Sequence, residues 1–417
     1  MRTEDRPGVE TAGSLDGIRV LDLSRVLAGP YAGQLLADHG ASVVKVEGPA
    51  GDDTRSWGPP FEGDTASYFI GLNRGKRNVC VDLGSAVGRD VVRELLASTD
   101  VLIENFNAGT MERWGLGPDE LLETFPQLVY CRISGYGGSG PQGGRPGYDA
   151  ILQASSGLMS VNGPDGGPAE RVGIPVVDQT TGLHAFTGIL LALLERERSG
   201  RGQLVEATLL DTGIGLLHPH AAAWFTSGAV PGPVGSGHAS IVPYQPFDTR
   251  DGAVFIAAGN DRQFRRLCAA LSLVDAGDDP RFATNADRVH HRAELIAVLS
   301  EAMKGLERSG LLDELAACGV PAGPVNDIAE ALADDQVAWR ELVVSIGDYH
   351  GVASPVSLSR TPPSYSVAPR AKGADTAQVL GEIGWSATEV AARTEALDTS
   401  GARMVCEVGP RRTDGTS

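Results

Sequence analysis

The chain has 417 residues, a length that suits two domains or one large domain with an insertion. Apolar residues make up 42% of it and charged residues 21%, which is typical of a globular protein in water. The formal net charge of −18 argues against nucleic acid and anionic membranes as partners, and no apolar run is long enough to span a bilayer. Basic contacts to an anionic ligand would therefore be a local exception.

The cysteines are scattered and form no CxxC pair; they lie at Cys80, Cys131, Cys268, Cys318 and Cys406. This spacing favours reduced thiols over a disulfide framework or a zinc site. The first residues carry charges with no apolar run behind them, so we expect no signal peptide. Together these features predict a cytoplasmic protein.

Apolar runs of strand character alternate with helical segments from residue 17 onwards. Strands are predicted at 17–23, 41–47, 78–83, 100–106 and 128–134, and helices at 28–40, 88–98 and 117–125. A strand, a helix and a strand within about thirty residues form a βαβ unit, which makes the two strands parallel. The pattern predicts an α/β fold with a doubly wound parallel sheet.

A carboxylate follows the apolar run 172–177, which we interpret as a strand. The next segment, 179–197, has leucines and a phenylalanine at helical spacing, so Asp178 is expected at a helix start. One interpretation is an N-cap, which stabilises a helix by about 1 kcal/mol. The other is a nucleophile at the ligand-binding edge of the sheet, kept ionised by the helix dipole. Position alone favours the cap.

The composition of the sequence changes after about residue 225, where glycine, proline and serine become frequent. We predict a frayed extension over 1–14, a large domain beginning at 15–225, and a linker with a small domain over 226–325. The chain is expected to return to the large domain over 326–395 and to end in a disordered tail over 396–417.

Basic residues cluster around a glycine at Arg74, Lys76 and Arg77. The cluster has two interpretations, a phosphate-binding site or a solvated turn. Arg113 and Arg132 are weaker candidates. The segment 25–33 matches neither GxGxxG nor the Walker pattern, so it does not predict a nucleotide site. His218 and His220 have no further ligand at metal-binding spacing, and we expect no metal. His238 lies among glycines that would let its loop approach a ligand.

Several ordered segments together resemble the class III CoA-transferases, the CaiB/BaiF family, over roughly residues 14 to 390. They include LDGIRVLDLSRVLAGPYAGQLLADHGASVVKVE, LNRGKRNVCVDL, VLIENFNAGTMERWGLG, GYDAILQASSGLMSVNG, RVGIPVVDQTTG and GSGHASIVPYQPFDTRDG. The likeness is greatest to the succinyl-CoA:glutarate CoA-transferase branch.

The resemblance implies that Asp178 is the nucleophile and forms an acyl-aspartyl anhydride and then an aspartyl-CoA thioester. The matches to CoA-binding residues of the family are Lys76, Asn105, Phe106, Arg113 and Tyr136, with Arg74 added from the basic cluster. A glycine-rich loop that covers the intermediates would correspond to Gly235, Ser236, Gly237 and His238. The chain departs from some relatives at Leu27, Gly48 and Ser134, where they carry CoA-contacting side chains.

The resemblance further implies a large domain built from both chain ends, a smaller middle domain, and an interlocked homodimer with the site at its interface. Acyl-CoA and a carboxylic acid would be the substrates, with no tightly bound cofactor and no metal. Succinyl-CoA is the expected donor and a dicarboxylate such as glutarate the expected acceptor. Arg171 and Arg55 are candidate partners for the second carboxylate of such a substrate.

Other functions remain open at this point. A 2-methylacyl-CoA racemase shares the fold but uses a His-Asp pair where this chain has Tyr148 and Asp149, and tyrosine is a weak base near neutral pH. Asp149 has the ordinary interpretation of a helix cap. A doubly wound sheet alone also suits a nicotinamide-dependent oxidoreductase, which the missing GxGxxG opposes. A non-catalytic CoA-binding protein would leave Asp178 as a cap only.

Overall fold

The computed structural model describes residues 12–392, which form two compact units. The first unit contains the chain up to Gly157, Val172–His218 and the chain from Glu341. The second contains Leu158–Arg171 and Pro219–Arg340. The predicted extension over 1–14 lies outside the described residues up to residue 11, and the predicted tail over 396–417 lies wholly outside them. None of the helices between residues 12 and 392 is long and apolar enough to cross a bilayer.

A six-stranded sheet is the centre of the first unit. Its strands are β1 (Arg19–Asp22), β2 (Ser42–Glu47), β3 (Lys76–Cys80), β4 (Val101–Glu104), β5 (Val129–Ser134) and β6 (Leu204–Thr208). All neighbours are parallel, in the order β3-β2-β1-β4-β5-β6. This is the strand order of the doubly wound dinucleotide-binding folds, and it confirms the predicted fold class.

Helices follow the strands of this unit and cover both faces of the sheet. They are α1 (Ala28–Asp38), α2 (Ser67–Ile70), α3 (Ala86–Leu96), α4 (Thr110–Arg113), α5 (Pro118–Thr124), α6 (Asp149–Ser155), α7 (Val176–Ser199) and α8 (Leu209–Gly215). Short hairpins lie at Phe61–Glu62 with Thr65–Ala66 and at Val343–Ile346 with Tyr349–Val352. The chain ends this unit with helices at Thr376–Glu382 and Ala387–Ala392.

Strands β1 to β5 are largely buried, as a parallel sheet requires when helices cover it, and the edge strand β6 is partly exposed. In register, Leu21 of β1 lies between Val44 of β2 and Leu102 of β4. These three residues, with Val79 and Tyr130, belong to one buried cluster. Their continuous apolar runs explain why the strands were predictable within a few residues.

The middle unit has an antiparallel sheet of β7 (Tyr244–Asp248), β8 (Ala253–Ala257) and β9 (Ala322–Pro324), with β8 in the centre. Helices surround it at His220–Ser227, Asp261–Ala270, Val274–Asp278, Asn285–His290, Arg292–Met303, Arg308–Ala317, Ile328–Leu332 and Asp335–Trp339. Its buried cluster includes Phe247, Val254, Ile256, Phe264, Leu267 and Leu295. The unit therefore has a core of its own.

The sequence predicts boundaries at residues 225 and 326, whereas the two compact units change at residues 157, 171, 218 and 340. The segment 326–340 belongs to the middle unit, where Glu330 forms an ion pair with Arg308 at 3.0 Å. Leu158–Arg171 also belongs there, since Gly163 accepts a hydrogen bond from the amide of Gly235 at 3.0 Å. Such contacts between distant segments carry no local pattern, so the sequence does not reveal them.

The predicted strand at 172–177 is wrong. The chain there is irregular up to Pro175, and α7 begins at Val176. A short apolar run has the same pattern whether it is a buried strand or the approach to a buried helix. Proline at the N-cap position suits a helix start, where its missing N–H leaves no hydrogen bond unmade.

Candidate active site

A cleft opens at the carboxyl ends of β1, β4 and β5, where the order of the strands reverses. Doubly wound sheets bind their ligands at this position, because the loops on the two sides of the reversal diverge. The lining residues with polar or aromatic side chains are Arg25, Asp53, Asn105, Phe106, Asn107, Arg132, Ser134, Arg145, Tyr148 and Asp178. The structure thus brings Asn105, Phe106 and Asp178 to one cleft.

Asn105 joins the loops that follow β1 and β4. Its Oδ1 accepts a hydrogen bond from the amide of Arg25 at 2.8 Å, and its Nδ2 donates to the carbonyl of Arg25 at 2.7 Å. The next residue, Val26, has a φ of 70°, which is rare for a β-branched side chain and marks a strained backbone at the cleft. The Arg25 guanidinium lies 5.5 Å from the ring centre of Phe106 and 3.7 Å from Asp53.

Asp178 is the third residue of α7, and its side chain does not cap the helix. Among the residues described, its carboxylate oxygens accept no hydrogen bond and form no ion pair. Burial and the nearby charge of Asp149 raise the pKa of Asp178 to about 7. Both effects oppose the helix dipole, which the sequence analysis expects to keep Asp178 ionised. A carboxyl with a raised pKa in a cleft is a candidate reactive group.

The capping carboxylate of α7 is Asp149, the first residue of α6. Its Oδ1 accepts hydrogen bonds from the amides of Val177 at 2.8 Å and Asp178 at 3.1 Å. The sequence interpretation of Asp149 as a cap holds for a helix other than its own. Asp149 therefore caps α7, while the carboxylate of Asp178 accepts no hydrogen bond among the described residues.

Lys76 lies below the cleft and does not line it. The side chain is 1% exposed, and its ammonium donates to Asp22 at 2.9 Å, to the carbonyl of Pro30 at 2.7 Å and to Asn73 at 2.9 Å. Those three bonds use every N–H of the ammonium group. Burial lowers the pKa of Lys76 to about 8. Lys76 is thus engaged within the protein, and its contact with CoA stays a prediction.

Arg74 and Arg55 are likewise engaged within the protein. Arg74 pairs with Asp38 through two hydrogen bonds of 2.9 and 2.7 Å and donates to the carbonyl of Val352 at 2.6 Å. Arg55 pairs with Glu47 at 2.7 and 2.8 Å. Both guanidinium groups are thus already paired with carboxylates of the protein, and their contacts with a ligand stay predictions. Sequence shows that cations are adjacent, but not which distant carboxylates neutralise them.

Arg113 and Tyr136 lie outside the lining of the cleft. Arg113 is exposed on α4 and donates to Thr110 at 2.9 Å. The Tyr136 hydroxyl lies 3.4 Å from that of Ser155. Arg132 lines the cleft but is held between Glu104 at 2.8 Å and Glu112 at 2.7 Å.

Gly235, Gly237 and His238 belong to the middle unit, as does Arg171. Gly235 has a φ of 65°, and the amide of His238 donates to the carbonyl of Tyr244 at 3.0 Å. Arg292 donates to the carbonyl of His238 at 2.9 Å. The loop is therefore anchored within its unit, and its role over Asp178 stays a prediction.

Arg145 is a cleft residue that the sequence analysis missed. It is exposed, lines the cleft with Asp178, and pairs with no carboxylate in the described part of the chain. It stands in the glycine-rich segment between β5 and α6, after the carboxyl end of a strand, which was the signal available. It is a guanidinium placed to meet an anion.

Solved structures share this fold over nearly the whole described chain. A CaiB/BaiF family protein from Brucella suis has a TM-score of 0.84 and 40% identity, covering 89% of this chain and 100% of that one. A succinate–glutarate CoA-transferase of Agrobacterium fabrum is 43% identical over 386 residues, 88% of this chain and 95% of that protein. A succinyl-CoA:glutarate CoA-transferase of Homo sapiens is 38% identical over 375 residues, 88% and 86% of the two chains.

The model of CoA-transferase family III matches residues 15–376, and the chain belongs to that family. It is a CoA-transferase, an enzyme whose substrates are CoA thioesters and carboxylic acids. The resemblance found in the sequence is confirmed. Membership favours transfer over the oxidoreductase and the non-catalytic alternatives.

Proposed function

We propose that this enzyme transfers CoA from succinyl-CoA to a dicarboxylic acid such as glutarate, with Asp178 as its nucleophile. The observation that carries the proposal is the carboxylate of Asp178, unpaired among the described residues, at the cleft of a doubly wound sheet. The names of the Agrobacterium and human relatives, which pair succinate with glutarate, support the choice of substrates.

The proposed reaction begins when the ionised carboxylate of Asp178 attacks the thioester carbonyl of the donor. The C–S bond breaks, CoA leaves as a thiolate, and an acyl-aspartyl anhydride remains. The thiolate then attacks the aspartyl carbonyl, which releases the donor acid as its carboxylate and leaves an aspartyl-CoA thioester. Because each step exchanges one acyl acceptor for another, the thioester energy is conserved.

The second half of the proposed reaction reverses these steps with the acceptor acid. Its carboxylate attacks the aspartyl-CoA carbonyl, CoA again leaves as a thiolate, and a mixed anhydride with Asp178 forms. CoA attacks the acceptor carbonyl of that anhydride, so the new thioester is released and Asp178 is regenerated as a carboxylate. No net proton transfer is needed, which agrees with a cleft whose lining offers no histidine.

Arg145 is proposed to bind the distal carboxylate of the substrate. Of the guanidinium groups in the cleft lining, Arg132 is held by two glutamates, and Arg25 lies beside Asp53. Arg145 pairs with no acid in the described chain, and a charge-assisted bond to a carboxylate would satisfy it. Arg25, Asn105 and Phe106 are proposed to contact CoA.

The racemase remains the second candidate because it uses the same fold and thioester substrates. Tyr148 occupies the position of the racemase histidine, lines the cleft and is 62% exposed. A phenol is a poor proton acceptor near neutral pH, so we favour transfer. Epimerisation of a 2-methylacyl-CoA by the wild-type enzyme would reverse that preference.

A homodimer and a cytoplasmic location complete the proposal. Phe225 and Trp339 of the middle unit are 78% and 72% exposed, and large exposed apolar side chains are typical of interfaces. The described cysteines are free thiols, which suits a reducing compartment. Light scattering coupled to gel filtration should give twice the mass of one chain. Elution as a monomer that still transfers CoA would contradict the dimer.

Transfer is tested by mass spectrometry of CoA thioesters after mixing enzyme, succinyl-CoA and a panel of mono- and dicarboxylic acids. The wild type and Glu197→Ala, an exposed change on α7, should form a new dicarboxyl-CoA, while Asp178→Ala should not. No transfer by the wild type to any acid would contradict the substrates. Undiminished transfer by Asp178→Ala would contradict the nucleophile.

A further inference from the structure

Asp149 holds the first turn of α7 from outside that helix. The N-cap residue of α7 is Pro175, whose side chain has no polar atom, so the helix cannot cap itself. The amides of Val177 and Asp178 instead donate to Oδ1 of Asp149 at 2.8 and 3.1 Å. These two amides would otherwise lack a partner within the helix. The backbone that carries the candidate nucleophile is thus fixed by one carboxylate oxygen.

The second oxygen of Asp149 is fixed by Gln153, one turn further along α6. Gln153 Nε2 donates to Asp149 Oδ2 at 2.6 Å, and Gln153 Oε1 accepts from the amide of Val172 at 2.8 Å. Gln153 is fully buried and Asp149 is 8% exposed. One amide side chain therefore clamps both the capping aspartate and the segment that leads into α7.

We propose that Asp149 is a positioning residue for Asp178, and that its negative charge makes acylation of Asp178 more favourable. This inference rests on the proposed function, since it needs Asp178 to be acylated. The geometry supports the positioning role, because Asp149 holds the two peptide units that directly precede the α-carbon of Asp178. Attack geometry is sensitive to displacements of that turn.

The second part follows from charge. Two carboxylates close together repel while both are ionised, and the repulsion ends when one of them becomes a neutral ester-like group. Acylation of Asp178 to an anhydride or a thioester discharges it, so Asp149 destabilises the free enzyme more than the covalent intermediates. The carboxylate of Asp149 takes no part in bond making, and no proton moves to it.

The other charged or titratable groups around Asp178 do not replace Asp149. Tyr68 of α2 faces both aspartates, and burial with their charges raises its pKa to about 12, so it stays neutral. Arg25, Asp53 and Arg145 line the same cleft. After burial, Asp149 is the charge that raises the pKa of Asp178, which places the acid limb of activity near pH 7.

The test compares pH profiles of kcat/KM for wild type, Asp149→Asn and Asp149→Ala. Asparagine keeps an oxygen for both amides but removes the charge and the bond from Gln153 Nε2, so the acid limb should move below pH 7 by about one unit. Alanine also removes the cap, and kcat at pH 8 should fall by about a hundredfold because the turn shifts. The matched control is Asn260→Ala, which removes the N-cap of the helix Asp261–Ala270 in the middle unit. It should leave the pH profile unchanged.

The outcomes separate this inference from the proposed function. An Asp149→Asn enzyme that transfers CoA with the wild-type acid limb would overturn the inference, while Asp178-dependent transfer by the wild type would keep the proposed function. If Asp149→Ala does not fold, Gln153→Leu tests the positioning role, since it removes the clamp and leaves both carboxylates. That variant should lower kcat with little change in the KM for succinyl-CoA, and an unchanged kcat would overturn the inference.

Discussion

The carboxylate of Asp178, when ionised in its cleft, lowers the stability of the fold. Burial and the charge of Asp149 raise the pKa of its carboxyl to about 7, so the folded protein prefers the neutral form. Between the ordinary pKa of an aspartate and about pH 7, the folded state keeps a proton on Asp178 that the unfolded chain releases. The contribution of this residue to stability is therefore lost as the pH rises through about 7.

Replacing Asp178 with asparagine should stabilise the protein at alkaline pH. At pH 8 the buried charge is removed, and the free energy of unfolding should rise by about 1 kcal/mol or more. At pH 5 the wild-type carboxyl stays protonated in the fold while the unfolded chain releases that proton, so the gain should be smaller than at pH 8. Urea unfolding at the two pH values measures both. Destabilisation by Asp178→Asn at pH 8 would mean that the carboxylate makes stabilising bonds.

Arg145 should determine the preference for a second carboxylate. Replacing it with alanine should raise the KM for glutarate about tenfold or more, as expected for a lost charge-assisted bond. The KM for a monocarboxylic acid of the same length should hardly change. Arg198→Ala, an exposed change at the end of α7, is the control. A rise in the KM of every CoA thioester, with no preference among acids, would instead assign Arg145 to CoA.

Helices α1 and α7 pack closely at Gly182. A Cβ at that position would lie 2.7 Å from the carbonyl oxygen of Ala28 and 3.1 Å from the ring of Tyr31. Because one of these is backbone, the two helices would have to separate.

Gly182→Ala should therefore lower the free energy of unfolding by about 1–3 kcal/mol, as overpacking does. Gly215→Ala, at the end of α8 with nothing near its would-be Cβ, should be neutral or slightly stabilising. Thermal unfolding compares the two variants with the wild type. An equally stable Gly182→Ala protein would show that α1 and α7 are not held together as closely as this structure has them.

Most strands of the sheet were predictable because each contains a short apolar run, whereas the edge strands β3 and β6 mix apolar residues with charged ones. The run at 172–177 was misread because an apolar approach to a buried helix looks the same in sequence. The charged residues were harder still. Lys76 and Arg74 read as a phosphate site, yet each is neutralised by an aspartate more than thirty residues away. Arg145 was missed because a single arginine in a glycine-rich loop carries no pattern.

At the scale of the whole molecule, the sheet order places the site. The strands run β3-β2-β1-β4-β5-β6, and the reversal between β1 and β4 opens the cleft to which α7 brings Asp178. Alternation along the sequence predicted a sheet of this type, and family resemblance predicted the nucleophile. Neither predicted that Asp149 would cap α7. The two hydrogen bonds join Asp149 to amides that lie 28 and 29 positions further along the chain.

The central claim is that Asp178 becomes covalently linked during transfer. The most direct measurement is to mix the enzyme with succinyl-CoA alone, quench with acid, digest, and locate modified peptides by mass spectrometry. The account predicts a CoA thioester on the carboxyl of Asp178, and its loss when glutarate is added as succinate is released. Transfer that proceeds with the peptide of Asp178 always unmodified, or with CoA attached to another residue, would contradict the account.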